Sequence, residues 1–67
     1  MFVWFANVRV EHRGEFVEYN DRINVEPIDG RPVTEKDVVQ YAMGLILNSR
    51  PDMKGGRVIV ARATLLR

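Results

Sequence analysis

The sequence predicts a small soluble α+β domain of order ββαβ, with a three-stranded sheet in the order 2-1-3 and one helix packed on one face. Three observations predict it. Two stretches near the start alternate apolar and polar residues, a central stretch repeats apolar residues at helical spacing, and residues 57–66 are largely apolar on both faces. A chain of 67 residues makes a single domain, residues 1–67, whose core is small for its surface.

The first element is a β-hairpin formed by residues 2–11 and 15–26. Between them, Arg13-Gly14 predicts a two-residue turn, since glycine accepts a positive φ. Because arginine is not a favoured first residue of such a turn, a longer loop is the alternative. The two-residue turn sets Val10 opposite Val17 and Trp4 opposite Ile23, and a one-residue slip would move every side chain to the wrong face.

One residue does not fit this pattern. The same register puts Asp21 opposite Ala6, and an acidic side chain would then lie on the apolar face. We expect a bulge in residues 19–21 that turns Asp21 outward.

The second element is a helix over residues 35–48. Thr34 is the predicted N-cap, because its hydroxyl can accept a hydrogen bond from the first turn. Gly44 lies inside the helix and costs about 1 kcal/mol relative to alanine, which predicts close approach to another backbone. The helix ends before Pro51. The apolar stripe consists of Val38, Val39, Ala42, Leu45 and Ile46.

The last element is a strand over residues 57–66. Both of its faces are largely apolar, which is typical of a strand that is buried on both sides. A right-handed crossover through the helix would place it parallel to the first strand and beside it.

Composition limits the function. The chain has no cysteine and a single histidine, so disulfides and thiolate or histidine-based metal sites are not expected, and neither is a cofactor. Its net charge of +1 gives little attraction for phosphate. No apolar stretch approaches the length that spans a bilayer and no signal peptide is recognised, so we expect a cytoplasmic protein that does not enter a membrane.

No catalytic motif is present, and we expect a protein that is not an enzyme. His12 lies in or beside the hairpin turn, and Ser49 at the helix end has no base near it in sequence. Lys54-Gly55-Gly56 leads into a strand, whereas a phosphate-binding loop leads into a helix.

The sheet face away from the helix predicts the function. Left in water, its apolar part would be unusual for a monomer, so we expect a protein-binding module, most simply a homodimer or else a partner of another protein. Contact can involve this face or the edge of the last strand, unless the 27–32 loop or the termini cover them. Either alternating set of the last strand, the Val58 set or the Ile59 set, can face this side. The expected contact residues are Val3, Phe5, Arg22, Val58, Val60 and Arg62.

Nucleic-acid binding is the alternative function. The same face holds the ingredients of a stacking platform, an aromatic ring with arginines around it. Against this, Glu18 lies opposite Arg9 and predicts an ordinary cross-strand ion pair. The arginines expected to contact nucleic acid are Arg9, Arg22 and Arg62.

Overall fold

A computed structural model describes residues 2–27 and 30–67. The sheet has the order β2-β1-β3 and α1 packs against one of its faces, so the predicted fold class is confirmed. The elements are β1 (Phe2–His12), β2 (Glu15–Val25), α1 (Glu35–Ser49), a short 3₁₀ helix (Pro51–Met53) and β3 (Arg57–Leu65).

The hairpin has the predicted two-residue turn. Arg13 and Gly14 both adopt a positive φ, 52° and 79°, which matches the twist of the flanking strands. Val10 therefore lies opposite Val17 and Trp4 opposite Ile23, and the predicted register is confirmed.

The predicted bulge at Asp21 is wrong. The pairing of β1 with β2 runs without a shift, and Asp21 lies directly opposite Ala6. Ala6 is fully buried in the central strand, whereas Asp21 is exposed because β2 is an edge strand. The Asp21 carboxylate accepts a hydrogen bond from the backbone N–H of Arg22 at 2.7 Å, which gives the acid a partner without any bulge.

The predicted N-cap of α1 is confirmed. The Thr34 hydroxyl accepts a hydrogen bond from the backbone N–H of Asp37, and the Asp37 carboxylate accepts one from the backbone N–H of Thr34. The hydrogen bond from the Thr34 backbone N–H lowers the pKa of the Asp37 carboxyl, and the Thr34 side chain adds to the effect. The expectation for Gly44 is wrong, since this residue is exposed and a Cβ added there would meet no atom within 4 Å.

The direction predicted for β3 is wrong, because β3 pairs with β1 antiparallel. β2 ends where β1 begins, and α1, which is about 22 Å long, carries the chain back towards the hairpin turn. Residues 50–56 are too few to retrace β1, whose length is about 36 Å. The chain therefore enters β3 beside the end of β1 and runs in the opposite direction.

The core lies between α1 and the facing side of the sheet. β3 contributes only Ala63 to it, so the prediction of a strand buried on both sides is wrong. As an edge strand, β3 has a neighbour on one side alone. The buried residues are Trp4, Ala6, Val8, Val10, Ile23, Val38, Ala42, Ile46, Met53 and Ala63.

Candidate interaction surfaces

The sheet side away from α1, here called the open face, carries most of the predicted contact residues. Residues directly opposite each other in neighbouring strands share a face. Phe5 lies opposite both Arg22 and Thr64, and Asn7 lies opposite Arg62. The structure thus places five of the predicted contact residues on the open face, namely Val3, Phe5, Arg22, Val60 and Arg62.

The sixth predicted residue, Val58, lies on the other side of the sheet. β3 holds an extra residue, because Arg9 pairs with Val60 while the next residue, Val10, pairs with Val58. This bulge leaves Ile59 without a partner and puts Val58 opposite a buried residue of the α1 side.

The termini and the 27–32 loop leave much of the open face accessible. The backbone N–H of Val3 donates to the carbonyl of Arg67 at 2.6 Å, so the C-terminus runs beside Val3, which is half-buried. Phe5 remains 36% exposed. Pro32 lies with Trp4 on the α1 side, and residues 28 and 29 of that loop lie outside the described residues.

Arg9 and Phe16 are joined on the open face. The Arg9 guanidinium lies 4.0 Å from the centroid of the Phe16 ring, a cation–π contact. Across residues 2–27 and 30–67, Arg9 makes no ion pair, so the cross-strand pair predicted with Glu18 is absent. Arg9 Nε and Asn7 Oδ1 are both buried without a hydrogen-bond partner, which leaves two unsatisfied polar atoms on the open face of β1.

A shallow hollow of about 400 Å³ lies next to these atoms, where the open face meets the edge of β3. It brings the Phe5 ring together with one cation, Arg62, and one acid, Glu35. Its lining residues are Phe5, Asn7, Glu35, Arg62 and Thr64.

The outer side of β3 exposes more large apolar side chains than an edge strand in water favours. Val58, Ile59 and Leu65 are 44%, 46% and 49% exposed. Ala61, opposite the buried Val8, is exposed as well and lies on the α1 side. A long apolar edge strand is a template for pairing with another chain.

A row of α1 continues this apolar surface. Val39, Met43 and Leu47 follow each other at intervals of four, share one side of the helix and are half-buried. Glu35 begins the same row, and its carboxylate accepts a hydrogen bond from the backbone N–H of Ala63 in β3 at 3.0 Å. The row therefore lies on the β3 side of α1.

The opposite row of α1 supports this assignment. Tyr41 lines a hollow with Val25 of β2, and Leu45 lines another with Val17. We call the surface formed by the first row and the outer side of β3 the apolar flank. Its residues are Val39, Met43, Leu47, Val58, Ala61 and Leu65, with the unpaired Ile59 on the same strand.

Sequence reasoning missed the apolar flank. It placed Val39 in the apolar stripe of the helix, which does pack against the core, and it expected both faces of β3 to be buried. The available signal was the pair of apolar faces itself, because one helix can cover only one face of a strand.

The two edges of the sheet differ. Backbone groups of an edge strand point outward at alternate residues. In β2, Arg22 is such a residue: its N–H donates to Asp21 at 2.7 Å and its carbonyl accepts a hydrogen bond from the Tyr19 hydroxyl at 3.3 Å. Partial burial raises the pKa of Tyr19, and the charge of Asp21 adds to the effect. Both outward backbone groups of Arg22 are therefore satisfied within the chain.

The hairpin tip is tied to the 3₁₀ helix by ion pairs. Arg50 donates two hydrogen bonds to Asp52, at 3.0 and 2.9 Å, and lies 3.8 Å from a carboxylate oxygen of Glu15. The bond from Arg50 holds the pKa of Asp52 below its usual value. His12 lies opposite Glu15 at the end of the hairpin.

Comparisons of the chain with protein-family models, curated proteins and solved structures each find no match. Within the described ranges, no group of three or more His, Cys, Asp or Glu side chains is placed to hold a metal ion. None of the helices described is long and apolar enough to cross a membrane.

Proposed function

We propose that this domain is a non-enzymatic protein-binding module that associates with itself through the apolar flank and the edge of β3. One observation carries the proposal: Val58, Ile59 and Leu65 are nearly half exposed on an edge strand, beside a half-buried row of α1. Contiguous apolar surface of this kind marks protein interfaces.

A second copy of the chain fits the apolar flank because the flank is self-complementary. A two-fold axis brings the same surface of each copy together. Pairing β3 with β3 extends the sheet and sets the two α1 helices side by side, so that Met43 and Leu47 of each copy gain apolar neighbours. A domain of 67 residues gains from such burial, because its own core is small.

The proposal divides the residues expected from the sequence into two groups. Val58, Val60 and Arg62 lie on β3 and belong to the proposed interface. Val3, Phe5 and Arg22 lie on β1 and β2, away from it.

Two acid substitutions test the proposal by sedimentation across a wide concentration range. Ile59→Glu puts a charge at an exposed residue of the β3 edge strand, whereas Tyr41→Glu puts the same charge on the other side of α1 at a residue that is 57% exposed. Burying one isoleucine contributes about 1.5–3 kcal/mol, and a two-fold dimer buries one Ile59 from each copy. We expect Ile59→Glu to weaken the dimer about 100-fold or more and Tyr41→Glu to leave it unchanged.

A wild-type chain that stays monomeric at all concentrations contradicts the proposal. So does an Ile59→Glu variant that dimerises as well as wild type. High salt should leave the association intact, since apolar contacts are not screened.

A second candidate function, binding of single-stranded nucleic acid, is favoured by Phe5. Its ring is 36% exposed, lies opposite Arg22 and shares a hollow with Arg62. Arg9, whose guanidinium lies on the Phe16 ring, offers less to this candidate.

Fluorescence anisotropy with a labelled single-stranded oligonucleotide tests this second candidate at low salt. Phe5→Ala should weaken binding about tenfold, given about 1–3 kcal/mol per stacked base. Phe2→Ala is the control, because Phe2 is similarly exposed, at 40%, but lies on the α1 side. Absence of binding at low salt rejects the candidate.

A further inference from the structure

We propose that Glu35 sets the register of the β3–β3 pairing, so that the two copies meet with Ala61 opposite Ala61. The inference rests on the proposed self-association through β3. It adds the register, and it assigns to Glu35 a role in specificity beyond its place in the first turn of α1.

The outward backbone groups of β3 carry the argument. Ala63 donates its N–H to Glu35 rather than to β1, so it points away from the sheet, and alternation makes Ala61 and Leu65 point outward as well. The Glu35 carboxylate, 3.0 Å from the Ala63 nitrogen, occupies the place that a partner carbonyl would take. On the other side of Ala61, the bulge at Ile59 interrupts the alternation. Ala61 is thus the outward residue between two obstacles.

Three two-fold antiparallel registers oppose outward residues near this point, centred on Ala61, Arg62 or Ala63. A centre at Ala63 requires the Ala63 N–H of both copies, and both Glu35 carboxylates must leave. A centre at Arg62 also requires these N–H groups. It sets the Arg62 guanidinium of one copy directly opposite that of the other, and two like charges in that position are destabilising.

The centre at Ala61 avoids both costs. The two Ala61 residues exchange N–H···O=C bonds, and Arg62 lies opposite Val60 of the second copy. Ala63 then lies opposite Ile59 of the second copy, where the bulge already breaks the regular ladder. This register therefore loses the fewest hydrogen bonds between the two β3 strands when Ala63 keeps its bond to Glu35.

The chain has no cysteine, so single-cysteine variants report the register directly. Ala61→Cys, Arg62→Cys and Ala63→Cys each mark one of the three centres. Directly opposite residues have Cα atoms about 4.5–5.5 Å apart, within disulfide range, whereas residues one position off the centre are too far apart. Under mild oxidation we expect Ala61→Cys to form covalent dimers at least about tenfold faster than the other two variants.

Two substitutions of Glu35 separate its role in register from its role in stability. Glu35→Ala frees the Ala63 N–H, and in this background Ala63→Cys should cross-link about tenfold faster than before. Glu35→Gln keeps an acceptor oxygen and should leave the cross-linking pattern of wild type. Glu18→Ala removes an exposed acid from β2 and is the matched control, with no change expected. Circular dichroism confirms that each variant is folded.

The outcomes distinguish the two proposals. If the dimer cross-links fastest through Arg62→Cys or Ala63→Cys, or if Glu35→Ala leaves the cross-linking rate of Ala63→Cys unchanged, the proposed register is overturned while self-association stands. A chain that is monomeric by sedimentation and forms no covalent dimer overturns the self-association itself.

Discussion

Gly56 is the residue at which one added methyl group should cost the most. It precedes β3, where the chain passes the end of the central strand. A Cβ on Gly56 would lie 2.7 Å from the Glu11 carbonyl oxygen and 2.9 Å from Val10 Cγ1. The nearest atom belongs to the backbone of β1 and cannot swing aside. Gly56→Ala therefore requires β1 and the start of β3 to move apart.

The size of this effect follows from two opposing contributions. Overpacking costs about 1–3 kcal/mol, while the lower entropy of the unfolded alanine chain returns about 0.4–1 kcal/mol. The free energy of unfolding should fall by about 1–2 kcal/mol. In a domain of this size, 1 kcal/mol changes Tm by about 4–8 °C, so the expected loss is roughly 5–15 °C.

Gly44→Ala makes the same chemical change with the opposite expected sign. Gly44 lies in the interior of α1, and its added Cβ would meet nothing within 4 Å. Alanine should therefore raise the free energy of unfolding by about 1 kcal/mol. Thermal unfolding followed by circular dichroism, at one fixed protein concentration because association shifts Tm, measures both variants. A Gly56→Ala variant as stable as wild type would refute the steric argument.

Three further predictions concern the turn and the helix cap. Arg13→Asn should raise the free energy of unfolding by about 0.5–1 kcal/mol, because Arg13 adopts φ 52° and asparagine tolerates this region better; thermal unfolding checks it. Thr34→Ala should lower that free energy by about 1 kcal/mol in urea titrations, since Asp37 N–H loses its acceptor. Asp37 has a lowered pKa when folded, so its contribution to stability is present above the unfolded pKa and is lost as the pH falls through the folded one. The stability difference between wild type and Asp37→Asn should therefore shrink on titration from pH ~6 to ~2, and a constant difference would contradict this.

The hairpin could be predicted in register from the sequence because its determinants are local. Arg13-Gly14 fixes the turn, and alternation then admits only one pairing that keeps the apolar residues together. The cap at Thr34 is local in the same way. In each case the residues that decide the structure lie within a few positions of each other.

The direction of β3 could not be predicted from its own residues. Alternation in a strand is the same in both directions, and the direction depends on where α1 releases the chain. The pattern also cannot distinguish a strand whose two faces are both covered within the chain from one that leaves an apolar face exposed. Both errors concern the relation of β3 to the rest of the fold.

The candidate surfaces were only partly predictable for a related reason. Val58 and Val60 share a face in any regular strand, and the bulge at Ile59 separates them. Asp21 looked like an error in the apolar pattern until the structure showed its carboxylate bound to the backbone of the edge strand. Bulges and bonds from side chains to the backbone depend on three-dimensional neighbours that alternation does not encode.

The capped backbone of Arg22 on the β2 edge has a consequence for the size of any assembly. In the language of polymer chemistry, a sheet with two reactive ends is a bifunctional monomer and grows into an open ribbon. Asp21 and Tyr19 already occupy the N–H and the carbonyl of Arg22, which disfavours strand addition at the β2 edge. A monofunctional unit terminates the chain it starts, so under the proposed β3–β3 association we expect strand addition to stop at two copies.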